Sequence, residues 1–385
     1  MPDDPTHEGY TFTGWYLDEQ CTNKVSLNTD KTYTPSQNIT LYSGWSINKY
    51  TLTISRLSGN TTKEQNYNTQ LDLNTYNSSG YKVTLSPNYD GGANTVLTQT
   101  HKSWSKDGFG TLSGNIYTYG AGNGKVTENY NDVTLTTPTQ AGYTFVGWYT
   151  DLELKNEVKL NADNTYTPTA NITLYAKWTA NTNTKYTVKH YKQNIEDDQY
   201  GEPEVETLTA VTGSEVTPAT KDYGKGFETP NLKSAVVKAD GSTIIKYYYN
   251  RKLFTVTFNT NGGNSVENIT AKYEKEVTLP TTSKTGYTFK GWLNQELEVT
   301  SPYKVEDNVT LSAKWNAITY NITYSLNGGN LAEGITNPKN YTIETASFTL
   351  NNPQKDGYTF TGWTGSNGTT PNTTVTISKG TTGDK

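Results

Sequence analysis

The chain has 385 residues, of which 32% are hydrophobic and 18% charged, yet it holds 30 tyrosines. A formal net charge of −5 without any Lys/Arg-rich run excludes a general nucleic-acid binder, and no apolar run of about 18 residues exists that would span a membrane as a helix. Disorder is excluded too: disordered chains are poor in the aromatic and β-branched residues that pack on half-buried sheets, so a mainly β protein with thin, ring-built cores is expected.

In chain order, "MPDDPTHEGY" has neither the basic start nor the apolar stretch of a signal peptide. "GYTFTGWY" follows at Gly9, then "TYTPSQNITLYSGW" ending at Trp45. Between them Cys21 is the only cysteine, so no intrachain disulfide forms; "DEQCTNK" offers little basic help to a nucleophile, and the thiol reads as incidental. From Tyr50, "YTLTISRLSGN" is an alternating strand running into a turn, after which the pattern decays through "GYKVTLSPNYDGGANTVLTQTHKSW", with Trp104 in the place of the first tryptophan after an insertion.

"GYTFVGWY" returns at Gly142 and closes with "TYTPTANITLYAKW" at Trp178; the interval from Trp148 to Trp178 equals that from Trp15 to Trp45. This copy has no leading "VTF…NGG" strand next to it, so it must borrow a partner or leave an edge open. After a different pattern between Lys185 and Arg251, the fullest copy runs "FTVTFNTNGGN", "GYTFKGWL", "NVTLSAKW", the last ending at Trp315. A final copy, "YNITYSLNGGN" with "GYTFTGWT", stops at "KGTTGDK" without its closing tryptophan, which reads as part of a longer polypeptide.

Strand period explains the motif without a ligand. In "YTFTGW", Tyr10 and Phe12 share a face; in "NITLYAKW", Ile172, Leu174, Ala176 and Trp178 face one way and Thr173, Tyr175 and Lys177 the other. Gly147 before Trp148 suits a bulge that turns a large indole into the core. In "TIIKYYYN", Ile245, Tyr247 and Tyr249 share one face.

The "GYTFxGWY…NITLYAKW" pattern with its "VTFNTNGG" strand resembles the internalin B-repeat family, also called the Listeria-Bacteroides repeat. Residues 185–251, with "ADGSTIIKYYYN", resemble the mucin-binding-protein-like repeats. The resemblance implies tandem small β-grasp-like units in an elongated array, mainly β and α+β at most, each a twisted sheet on a short helix or ordered loop. The implied units are 1–47 (partial), 48–130 (divergent), 131–180 (short), 185–251 (mucin-binding-protein-like), 252–316 (complete) and 317–385 (truncated at its C-terminal strand).

Chemistry is sparse. His7, His101 and His190 lie in different units with no carboxylate or cysteine at ligand spacing, so no metal or cofactor is expected. "NGG" lacks the following Lys-Ser/Thr of a phosphate loop and reads as a turn. Acidic positions do not recur between copies as catalytic pairs would, and no enzyme is expected. If glycans bind, the outward rings Tyr42, Tyr175 and Tyr248 are the candidates.

The expected role is the stalk or spacer of an extracellular, cell-wall-associated bacterial surface protein that projects or supports adhesion. The alternatives are a carbohydrate- or mucin-binding adhesin module and the accessory repeats of a cell-wall hydrolase. A host glycoprotein, mucin or glycan is the expected partner of a monomer; nucleic acid and membrane insertion are not expected.

Overall fold

A computed structural model describes residues 1–385, which divide into two compact units, 1–184 and 185–385. Both are built almost wholly of strands. The single helical element is a short 3-10 turn, Leu73–Tyr76, capped by the Asp72 side chain. No helix therefore lies on any of the sheets. The connecting segments lack an apolar stripe of helical period, and residues from them such as Leu279 and Val305 close the core instead.

In the second unit, one five-stranded sheet shows the repeat complete. Its order is Ile269–Lys272, Leu253–Asn259, Val309–Ala317, Tyr287–Asn294, Leu297–Glu298. The leading strand Leu253–Asn259 runs parallel to the closing strand Val309–Ala317, with Val256 opposite Val309 and Phe258 opposite Leu311. The closing strand is antiparallel to Tyr287–Asn294, with Phe289 opposite Trp315 and Trp292 opposite Ala313. Alternation brings Val256, Trp292, Leu311 and Ala313 to one buried face. The register shifts between Phe289 and Gly291, where Gly291 takes φ 123°, so that Phe289 and Trp292 reach the same core despite their odd spacing. The same bulge recurs at Phe12/Gly14 and Phe145/Gly147, as expected of the glycine before the tryptophan.

In the first unit, strand pairing cuts across the boundary expected between residues 130 and 131. One sheet has the order Thr61–Asn66, Lys49–Ser55, Gly124–Tyr130, His101–Gly108; another has Tyr143–Tyr149, Ile172–Ala180, Lys82–Ser86, Thr95–Thr98. The chain thus builds half of the first sheet, half of the second, then returns to finish each. "KVTLS" is the missing leading strand of the 131–180 copy, parallel to its closing strand with Val83 opposite Ile172 and Leu85 opposite Leu174. Trp104, opposite Glu128, sits as Trp292 does opposite Ala313, in the place the sequence assigned it.

Polar groups hold the chain where it passes from the first sheet to the second and back. Gly80 N donates to Gln99 O at 2.9 Å, and Tyr81 N to the buried Gln99 Oε1 at 3.2 Å. In the same segment as Gly80, Ser78 donates to Glu128 from both its backbone N (2.8 Å) and its Oγ (2.6 Å).

Residues 184–251 form a three-stranded sheet of Glu204–Ala210, Thr184–Lys192 and Ile244–Tyr249. Ile245, Tyr247 and Tyr249 are buried as their alternation requires, and Ile244 and Tyr248 are exposed. The outermost copies are thinner: Tyr10–Tyr16 pairs only with Tyr42–Ile47, and residues 320–385 form three separate two-stranded ladders.

Candidate functional site

The repeated aromatics and the "NGG" turn form one structural latch. In the complete copy, Asn261, at φ 51°, donates from Nδ2 to Ala313 O at 2.8 Å, and Trp315 Nε1 donates to Thr260 O at 3.0 Å. The interleaved copy repeats both bonds, from Asn88 to Ala176 O (3.2 Å) and from Trp178 to Pro87 O (2.7 Å). The turn that resembled a phosphate loop is therefore engaged in clamping the closing strand. Phe289 packs edge-on to Trp292 (5.3 Å) and Trp315 (5.4 Å); Phe145 and Phe12 repeat this geometry with their own tryptophans.

The first glycine of two of the motif copies, Gly9 and Gly286, has a role the alternation did not disclose. Gly9 takes φ +80°, and a Cβ there would lie 2.1 Å from the Tyr67 ring; at Gly286, also φ +80°, it would lie 2.5 Å from Ile343. Backbone bonds from Asn48 N to Gly9 O and from Ile318 N to Gly286 O, both 2.9 Å, fix the same approach. Tyr10, which alternation puts on the face of Phe12, stands at the sheet margin between His7 (4.5 Å, stacked) and Tyr67 (6.0 Å, edge-on). It is the first residue of its strand, where the core has ended and the neighbouring repeat begins.

Tyr42, Tyr175 and Tyr248 stand on three different sheets. Tyr42 and Tyr175 are half-buried and lie cross-strand from Tyr16 and Tyr149. Tyr248 is 38% exposed and belongs to a cluster. Its ring stacks on Tyr191 at 5.0 Å with an interplanar angle of 16°, Tyr200 meets it edge-on at 4.8 Å, and Lys233 Nζ lies 5.6 Å from its centroid. Parallel pairing creates this: Tyr191 is the register partner of Tyr248. The alternation of "YTVKHYK" carried the signal, but only the pairing shows which two outward rings meet.

Two histidines meet carboxylates that sequence spacing did not suggest. His101 Nδ1 lies 2.9 Å from Glu128 Oε1, and Tyr130 OH donates to Glu128 Oε2 at 2.7 Å. Burial pushes the Glu128 carboxyl up, but the hydrogen bonds from Ser78, Tyr130 and His101 outweigh it and hold it below the ordinary glutamate value. His190, buried between Tyr247 and Tyr249, bonds Tyr249 OH through Nδ1 at 2.8 Å while its Nε2 has no hydrogen-bond partner. Burial holds this imidazole below its ordinary value, more strongly than Glu206 raises it. Beside it Lys221 Nζ contacts Glu206 (2.8 Å) and Glu204 (2.9 Å), and these hydrogen bonds raise its pKa, keeping it cationic rather than nucleophilic. No three His, Cys, Asp or Glu side chains converge as a metal-binding group, and no helix is long and apolar enough to cross a membrane.

Residues 1–43, 103–177, 254–314 and 320–385 match the Listeria-Bacteroides repeat domain. Over 244 residues the chain is 30% identical to a protein of Evansella cellulosilytica provisionally named a membrane protein, covering 59% of this chain and 35% of the relative. A second protein of that organism, provisionally named a Gly-rich membrane protein, is 30% identical over 234 residues, 58% of this chain and 26% of the relative. Internalin H of Listeria monocytogenes is 33% identical over 144 residues, 37% of this chain and 24% of its own length. The chain thus spans about a third or less of the length of these relatives. No solved structure matches it significantly. With the repeat matched over more than half of its length, and the latch built from the residues that define the repeat, the chain belongs to the Listeria-Bacteroides repeat domain family.

Proposed function

We propose that the chain is a non-enzymatic spacer region of a bacterial cell-surface protein, outside the cell and associated with the wall, that carries or supports an adhesive domain. The observation that carries this reading is the use made of the repeated residues. Phe289, Trp292, Trp315 and Asn261 close their own sheet, and Gly9 and Gly286 fit the next repeat. Outward positions differ: Tyr42 and Tyr175 are matched by Ser312 in the complete copy. A spacer needs only folded units, whereas a binder relying on repetition needs the same outward groups each time. The similarity to an internalin and to proteins named for the membrane supports a surface setting.

The test is a wall-anchored reporter displayed with the chain between anchor and reporter. Antibody access to the reporter should fall when the chain is deleted and return when unrelated β-repeats of equal length replace it. Failure of that replacement would overturn the spacer reading.

The stacked pair Tyr191 and Tyr248 favours a second reading, a glycan-binding surface, because the exposed Tyr248 ring, held against the half-buried Tyr191, offers aromatic surface to the C–H groups of a sugar. Saturable binding on a glycan array or to mucin, abolished by Tyr248→Ala with the fold intact, would move it to first place.

A further inference from the structure

In the main sheets formed by residues 184–317, the strand by which the chain enters and the strand by which it leaves are neighbours and run parallel. Leu253–Asn259 lies beside Val309–Ala317, from Val256 opposite Val309 to Asn259 opposite Ser312. Thr184–Lys192 lies beside Ile244–Tyr249, from Thr187 opposite Ile244 to Lys192 opposite Tyr249. The first unit repeats the pairing, of Lys49–Ser55 with Gly124–Tyr130 and of Lys82–Ser86 with Ile172–Ala180. Leu253 therefore stands at one end of its pair and Ala317 at the other. A pull on the chain from both sides draws such strands past each other along their own axis, so the bonds between them share the load at once; a terminal pair running antiparallel would open bond by bond from one end.

Recurring residues reinforce this pair at both of its ends. Asn123, Asn171 and Asn308, each the residue before its closing strand, accept at Oδ1 from the leading-strand backbone N of Thr51 (2.9 Å), Lys82 (2.8 Å) and Thr255 (2.8 Å). At the other end Asn261 and Trp315 bond Ala313 O and Thr260 O across the same two strands, as Asn88 and Trp178 do across theirs. In the 184–251 sheet the backbone closes both ends: Thr187 N donates to Thr243 O at 2.9 Å, and Gln193 N to Tyr249 O at 3.0 Å. Just beyond, Arg251 donates from its backbone N to Gln193 Oε1 (3.0 Å) and from Nε to Gln193 O (2.9 Å). Core burial has no direction, whereas each of these bonds must break before the two strands slide.

We propose that the parallel leading and closing strands form a shear clamp, and that bearing tension along the chain is a further function of the repeats. The proposal rests on the spacer reading for the source of the load, since a chain between a wall and an adhesive domain is pulled whenever that domain is held. The resistance itself comes from the pairing. Forced unfolding is set by the barrier to rupture and not by equilibrium stability, so a repeat with a thin core resists a pull in this direction. Asn123, Asn171 and Asn308 are exposed and add nothing to the cores; their recurrence is explained by the bonds they make across the clamp.

The test is single-molecule force spectroscopy on the full chain, held by its two termini. Residues 253–317 and 187–249 should each extend in one resolved step of about 200 Å. Asn261→Gly, which keeps the backbone conformation but removes the amide, should lower the force of the first step and leave the second unchanged. The deciding comparison changes only the direction of pull. With Cys21→Ser, and Ser265→Cys as the single thiol, one handle moves to the exposed turn after the leading strand, so that both pulls act at the same end of the 253–317 pair. Its bonds then open in sequence, and the rupture force should fall at least about twofold. Equal forces from the two directions would overturn the proposal, and so would terminal pulling that extends either repeat without a resolved step. The isolated chain carries neither wall nor reporter, so a weak clamp would leave the spacer reading standing, and a failed reporter experiment would leave the measured clamp.

Discussion

Trp315 and Thr260 are joined by a 3.0 Å hydrogen bond from the indole N–H to the carbonyl that opens the "NGG" turn, and this bond ties the last strand of the repeat to its first turn. The same pairing joins Trp178 to Pro87 across an interleaved chain, so it depends on the sheet and not on sequence distance.

Removing the indole tests the latch. Trp315→Ala should destabilise its sheet by about 3 to 5 kcal/mol, and Trp315→Phe by about 1 to 3, since Phe refills part of the space but leaves the Thr260 carbonyl without its donor. Exchange protection at 254–258 and 309–316 reads both losses. Tyr248→Ala, on an exposed face, should leave global stability within about 1 kcal/mol of the parent; a loss as large as that of Trp315→Ala would show that the ring is structural.

Glu128 should make the interleaved sheets acid-sensitive. Its folded pKa is depressed, so its contribution is fully present above the unfolded value near 4.5 and fades as pH falls through the folded one. Denaturation at pH 7 and at pH 3.5 should show this loss in the parent. Glu128→Gln should be weaker at pH 7 by about 1 to 3 kcal/mol and flatter in acid.

His190 gives the opposite half of the chain a milder dependence. Because burial lowers its folded pKa below 6.5, its neutral form is favoured on folding. Stability of the 184–251 sheet should be complete above about pH 6.5 and decline as pH falls below it. Amide exchange at Thr187–Lys192 between pH 7.5 and 5.5, corrected for intrinsic rates, measures this. His190→Asn should lack the slope.

Gly286→Ala should strain the backbone at φ +80° and drive a methyl into Ile343. A loss of more than about 1 kcal/mol is expected. Ile343→Ala in the same chain should relieve the collision but not the backbone strain, giving partial rescue in thermal unfolding and in proteolysis near Ile318.

Period-2 alternation was enough to place Leu174, Ala176, Ile245, Tyr247 and Tyr249 inward, and the glycine before each tryptophan was enough to locate the bulge, because both are properties of a strand and its immediate neighbours. The repeat itself was legible for the same reason. Which strands pair was not. "KVTLS" reads as a strand in any context, but its partner Ile172–Ala180 lies far along the chain, beyond another sheet's second half, and no local pattern encodes that choice. Alternation puts Glu128 on the face of Val126, but nothing local supplies a partner for a carboxylate there; it is buried because it takes the position of Ala313 in a core where Ser78, Tyr130 and His101 converge on it. Local chemistry thus determined the elements and their inward faces, and tertiary pairing alone decided which rings, carboxylates and open edges meet.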